Sequence, residues 1–270
     1  MTAYSTGPRH QARKRFGQHF LHDRNVIARI VDAIGPKPGE ALVEIGPGLG
    51  ALTRPVLERA RSLETIELDR DVIPHLTAAC ADAGTLVVHS GDILEMDIRA
   101  LAAGRRLRIC GNLPYNISTP LLFHLLEARD VIQDMTFMLQ KEVVLRMAAQ
   151  PDTSDYGRLT VMLAAYCEST RLFDVGPGAF KPPPKVDSSI VRVVPHAHAP
   201  FAIPDPARFA GIVSAAFGQR RKTLRNSLSK WVDADGFSAC AIDPQRRAET
   251  LSPAEFAALA RTTPPAQAAT

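Results

Sequence analysis

The chain of 270 residues has no uncharged apolar run long enough to cross a membrane. Its first residues lack the apolar core of a signal peptide. It has four cysteines (Cys80, Cys110, Cys167 and Cys240), with no CxxC pair and no spacing to His that suits a metal. That excludes a disulfide framework and a zinc site by spacing, and leaves buried, reduced thiols as the expectation. These absences together predict a soluble, cytoplasmic protein. Negative charge is missing from two stretches. No acidic residue occurs in 1–22, where Arg9, Arg13, Lys14 and Arg15 stand. None occurs between Asp205 and Asp233, where Arg208, Arg220, Arg221, Lys222, Arg225 and Lys230 stand. The net charge is only +4, but the isoelectric point near 9.0 leans towards an anionic partner. With 46% hydrophobic residues, the chain can build one large α/β domain and a small appendage.

Arg15-Phe16-Gly17-Gln18-His19-Phe20-Leu21 joins the basic start to a helical pattern, with Val26, Ile27, Ile30, Val31 and Ile34 on one face and Gly35-Pro36 as the stop. The basic run reads either as a solvated tail or as an arm contacting phosphates. Ala41–Ile45 then reads as a buried strand entering a glycine-rich turn, Gly46-Pro47-Gly48-Leu49-Gly50, before a helix over Leu52–Ala60. Glycines are needed where backbone must approach a ligand closely. This turn implies a nucleoside cofactor without saying which, because Gly46-x-Gly48-x-x-Ala51 also meets a relaxed dinucleotide fingerprint. Glu67 ends the strand Leu63–Leu68 at a spacing that suits a ribose hydroxyl. Asp92 follows the strand Thr85–Ser90 and is equally suited to a cofactor amine or to capping the next segment.

The fourth strand, Leu107–Cys110, leads into Gly111-Asn112-Leu113-Pro114-Tyr115-Asn116. An exocyclic amine on a base is a poor nucleophile because its lone pair is delocalised into the ring. The Asn112 side-chain oxygen and the Leu113 carbonyl can each accept one N–H, which localises that pair. Pro114 stiffens the turn and biases Leu113 towards an extended conformation. Tyr115 offers a flat face for a flipped-out base. Three strand ends with a polar group at one sheet edge predict a Rossmann-like, mostly parallel α/β sheet with helices on both faces, built for methyl transfer from S-adenosyl-L-methionine. A dehydrogenase has no use for the fourth-strand motif.

Beyond this, Pro120–Ala128 is expected to be helical and Met135–Leu139 a short buried strand. Lys141–Ala149 and Gly157–Cys167 read as helices and Arg171–Val175 as a strand. The stretch 176–188 is too proline-rich for helix or central strand, and its Phe180 is either a hydrophobic plug or a second stacking face. Lys181 and Lys185 beside it favour stacking. Ile190–Val194 reads as a last strand, open to an edge position. After the linker around 196–206 the pattern is helical only, and Arg220, Arg221, Lys222 and Arg225 are the candidate nucleic-acid contacts. The expected division is a basic arm (1–15), a Rossmann-like domain (16–197), a helical C-terminal domain (198–262) and a disordered tail (263–270).

Several stretches together make the chain resemble the small-subunit (16S) ribosomal RNA adenine dimethyltransferase family, called KsgA or RsmA in bacteria. They are Gly17-Gln18-His19-Phe20-Leu21, Glu44-Ile45-Gly46-Pro47-Gly48, Ile66-Glu67-Leu68-Asp69, Asn112-Leu113-Pro114-Tyr115-Asn116-Ile117-Ser118, Pro182-Pro183-Pro184-Lys185-Val186-Asp187-Ser188 and Gln219-Arg220-Arg221-Lys222-Thr223-Leu224-Arg225-Asn226-Ser227. The resemblance implies dimethylation of two adjacent adenosines in a hairpin loop near the 3′ end of that RNA, inside the small subunit, by a protein expected to be a monomer. It also implies cofactor contacts at His19, Leu21, Gly46, Glu67, Asp92 and Asn112. Asn often stands where His19 stands here, so that expectation rests on the backbone more than on the ring. Pro often stands at the place of Leu113 in related amino-methyltransferases, an exchange that a carbonyl contact tolerates.

Overall fold

In the computed structural model, residues 19–263 are described; the basic arm, Phe16, Gly17, Gln18 and the tail 264–270 lie outside them. The chain opens with β1 (Phe20–Leu21) and α1 (Arg24–Ile34). Asp23 caps α1 by accepting from the Asn25 and Val26 amides, and Gly35 ends it in the left-handed region with φ 58°. Five strands follow with helices between them. They are β2 (Ala41–Ile45), α2 (Thr53–Ala60), β3 (Ser62–Glu67), α3 (Ile73–Cys80), β4 (Thr85–Ser90), α4 (Ile98–Ala102), β5 (Leu107–Asn112), α5 (Ser118–Glu127) and β6 (Ile132–Gln140). After α6 (Lys141–Met147) and α7 (Arg158–Tyr166) come β7 (Cys167–Val175), β8 (Phe180–Lys181) and β9 (Ser188–Pro195). The chain ends in α8 (Pro206–Gly218), α9 (Leu224–Ser227), α10 (Ala234–Ala239) and α11 (Pro253–Ala260).

The main sheet has seven strands in the order β4-β3-β2-β5-β6-β9-β7, and β2 to β6 pair in parallel. The chain winds outward from β2 to β4 and then returns to lay β5 on the other side of β2. That reversal creates a crevice at the carboxyl ends of β2 and β5. Closeness there depends on Gly111, where a Cβ would lie 2.4 Å from the Ile45 carbonyl oxygen. The apolar residues of α1 and α2 pack with Leu42, Leu63 and Cys110 into one buried cluster.

β9 lies between β6 and β7 and is not an edge strand; β7 takes the edge. Its place is secured at both ends. The Lys141 amide donates to the Asp187 carbonyl at 2.9 Å, and Arg192 reaches Asp134 on β6 at 2.6 Å. Asp134 also holds the buried Arg108 of β5 at 2.8 and 3.1 Å, and that guanidinium donates on to the Ile34 carbonyl at the end of α1.

The chain divides into two compact units, one of 1–141 with 171–192 and the other of 142–170 with 193–270. The second unit is therefore larger than the expected 198–262. The reason is that α7 packs on α8 and α11, with the Tyr166 ring edge-on to Phe209 and the Tyr156 hydroxyl donating to the Leu251 carbonyl at 2.6 Å. Among the described residues no helix is long and apolar enough to cross a membrane.

Candidate active site

The crevice opens into a cavity of 270 Å³ at the ends of β2, β3, β4 and β5. Its base is the glycine turn. Gly46 and Gly48 have φ of 69° and 53°, which a side chain would strain. A Cβ on Gly46 would face the Asn112 carbonyl and Pro114, so this turn and the Asn-Leu-Pro-Tyr loop lie against each other. Glu67 ends β3 with one carboxylate oxygen accepting from the Gly48 amide at 3.0 Å and the other from the Asp69 amide at 2.8 Å. Burial pushes its pKa up, and each oxygen keeps a second lone pair for a hydroxyl. Asp92 borders the cavity and also caps the following turn by accepting from the Leu94 amide at 2.9 Å. Leu68, half exposed, and Ile93 supply apolar wall on either side.

Asn112 is the last residue of β5 and pairs with Met138 of β6. Its side-chain amide nitrogen donates to the His19 carbonyl at 3.4 Å, an assignment that leaves Oδ1 free to accept. Leu113 is 1% exposed and borders the cavity. Its amide is tied to the Met138 carbonyl at 3.2 Å, while no donor among the described residues takes its own carbonyl. Tyr115 also borders the cavity. Its hydroxyl is 2.7 Å from Ser188 Oγ, and burial pushes its phenol pKa up. His19 stacks beside that ring at 5.9 Å between centroids, with its Nδ1 2.8 Å from the Pro182 carbonyl. Leu21 joins the wall from β1.

One expected site residue is placed differently. Phe180 is 3% exposed, pairs with Leu21 through β8, and packs into the buried cluster. A ring so enclosed offers no stacking face, and Phe180 is the hydrophobic plug in this structure. Arg220 is exposed, and one of its terminal nitrogens donates to the Ser154 and Tyr156 carbonyls at 3.1 and 3.3 Å. Arg221, Lys222 and Arg225 are exposed, and no acidic partner holds them among the described residues. The structure adds Arg247, exposed and brought beside them by an antiparallel bridge to Thr223. Nothing in the local sequence signals that pairing.

Glu44, on β2, was quoted only as part of a motif. It is 1% exposed, borders the cavity, and its Oε2 has no hydrogen-bond partner; the buried Thr53 hydroxyl has none either. Burial, opposed by the nearby Thr53 hydroxyl and reinforced by the Glu67 carboxylate, pushes the Glu44 pKa up to about 8.

The residues present fit a nucleoside-bearing cofactor. Backbone can come close at Gly46 and Gly48, acceptors stand ready at Glu67 and Asp92, and Leu68 leaves an open apolar face at the cavity. Over residues 9–263 the chain matches the family described as ribosomal RNA adenine dimethylase. The ribosomal RNA small subunit methyltransferase A of Laribacter hongkongensis is 55% identical over 251 residues, 93% of this chain and 95% of that one. Its counterpart from Methylococcus capsulatus is 54% identical over 253 residues, 94% and 98% of the two chains. A solved dimethyladenosine transferase from Plasmodium falciparum has a TM-score of 0.76 at 26% identity, over 89% of this chain and 96% of that one. The 23S rRNA methyltransferase ErmE has a TM-score of 0.69 at 27% identity, over 89% and 98%.

Fold and cavity thus define a Rossmann-like methyltransferase that uses S-adenosylmethionine. Within that class, the chain belongs to the ribosomal RNA adenine dimethylase family.

Proposed function

We propose that this protein dimethylates the N6 amines of two adjacent adenosines in the 3′-terminal hairpin loop of small-subunit ribosomal RNA. The observation that carries this reading is the pair of unengaged acceptors, Asn112 Oδ1 and the Leu113 carbonyl, at a cavity that Tyr115 borders. The bound cofactor supplies an electrophilic methyl on a sulfonium. Positive charge passes to the amine as the methyl moves, so no strong general base is needed. What the chain contributes is orientation and preorganised acceptors. Asn112 and Leu113 draw the lone pair out of the adenine ring by taking its N–H bonds, and Tyr115 holds the base by its face. Glu67 and Asp92 would hold the cofactor's hydroxyls and its adenine amine, and Gly46 would let backbone approach it. Arg221, Lys222 and Arg225, with Arg247, would meet phosphates and recognise folded RNA by shape.

The test is transfer of labelled methyl from S-adenosylmethionine to unmethylated small ribosomal subunits, with the product nucleosides mapped. Dimethyladenosine at two neighbouring loop positions is the expected result. No label on small subunits, with label taken up by large-subunit RNA in a parallel reaction, would move the substrate to the one named for ErmE. Asn112→Ala is expected to abolish transfer while subunit binding persists. Loss of binding as well would assign Asn112 a structural part only.

A further inference from the structure

Ser188 opens β9 and is fully buried at 0% exposure. It does not border the cavity, yet its Oγ lies 2.7 Å from the Tyr115 hydroxyl. Its own seat is rigid, because the neighbouring Asp187 carbonyl accepts from the Lys141 amide at the end of β6. The other end of Tyr115 is held too, as Ser118 Oγ donates to its carbonyl at 2.8 Å. The ring is therefore fixed at its backbone, at its hydroxyl, and by the His19 ring alongside. A tyrosine fixed only at its backbone swings about two side-chain torsions. Such a swing would carry a stacked base across the acceptors of Asn112 and Leu113. Placement errors of about 1 Å are enough to cost orders of magnitude in rate.

We infer that Ser188 is a positioning residue for the methyl-transfer reaction: its buried hydroxyl sets the plane of the Tyr115 ring and thereby the place of the target amine. This rests on the reading of Tyr115 as the stacking face. A base stacked on a swinging ring suffers most at the second transfer, when only one N–H remains to orient the amine. The ratio of dimethylated to monomethylated product therefore reports on ring placement, which a merely structural serine would leave alone.

The experiment compares Ser188→Ala, Ser188→Thr, Tyr115→Phe, Tyr115→Ala and the Ser188→Ala/Tyr115→Phe double variant in the full chain. Readouts are kcat, the product ratio, S-adenosylmethionine affinity and the melting temperature. Ser188→Ala and Tyr115→Phe are each expected to lower kcat about five- to tenfold, the scale of one hydrogen bond between uncharged groups. Both should shift product towards monomethyladenosine with cofactor affinity unchanged. The double variant should be no worse than either single one, since both remove the same bond. Ser188→Thr, which keeps a hydroxyl, should recover activity. Wild-type kcat and product ratio in Ser188→Ala, or losses that multiply in the double variant, would overturn the inference. Should Ser188→Ala fail to fold, Tyr115→Phe decides, because it keeps the ring and deletes only the bond. Full activity in Tyr115→Ala would bring down the reading of Tyr115 itself. An inactive Tyr115→Ala beside fully active Tyr115→Phe and Ser188→Ala would sink only the positioning role.

Discussion

Glu44 makes stability fall with rising pH, and Glu44→Gln should remove most of that fall. The folded carboxyl keeps its proton up to about pH 8 because it is enclosed and one oxygen has no donor. Unfolded, it releases the proton near its ordinary value of 4.5. Between those two values the folded chain binds more protons than the unfolded one, so each pH unit gained costs about 1.4 kcal/mol of stability. The loss begins above the unfolded value, accumulates towards roughly 5 kcal/mol, and levels off once the folded carboxyl ionises. Gln has nearly the same shape and no proton to lose. Its amide meets the same lack of partners, which adds a constant offset at every pH. Glu67, also raised by burial, contributes in the same direction, but to first order it does so in both chains. The assay is urea unfolding of wild type and Glu44→Gln, followed by far-UV circular dichroism from pH 5 to pH 9. The stability difference, variant minus wild type, should rise from pH 5 to about pH 8 and then level off. A difference that stays flat would mean Glu44 ionises at its ordinary pH and that solvent reaches it.

Gly211→Ala should destabilise the second unit although alanine favours helices, because the new methyl would sit 2.2 Å from the Trp231 ring. Overpacking of that kind costs about 1–3 kcal/mol, and adding Trp231→Leu should recover part of the lost melting temperature. For RNA, the affinity of wild type should decline steeply with salt. Arg221→Ala/Arg225→Ala should lower the slope of log affinity against log salt by about two, one for each phosphate contact removed. An unchanged slope would place the RNA elsewhere.

The parts of the site legible in the sequence are those whose geometry is set within a few residues. Asn112, Leu113 and Pro114 lie together at a strand end, Glu67 closes its own strand and Asp92 follows its strand by two residues, so residue type and spacing sufficed to bring them to one edge. Sheet order could not be read as locally. The alternation in Ile190–Val194 suits an edge or an interior strand, and only the Asp187 and Arg192 contacts with β6 put it inside. Likewise α7 presents Val161, Leu163 and Ala165 to a core, but no pattern says whose core it is.

What the sequence did not show shares one cause, and it separates two kinds of inference from sequence. Arg220 and Arg221 are exposed neighbours of the same type in the same basic run, yet one terminal nitrogen of Arg220 donates to carbonyls more than sixty residues away and Arg221 makes no such contact among the described residues. Phe180 had lysines beside it that argued for a surface role, but its register against Leu21 turns the ring inward. Ser188 shows the same thing in reverse, since a buried serine next to a proline-rich loop has no chemical signature until Tyr115 arrives from 73 residues away. A motif therefore identifies the groups that can do the chemistry. Which of them are free to do it, and which neighbours aim them, is decided by long-range pairing at the sheet edge.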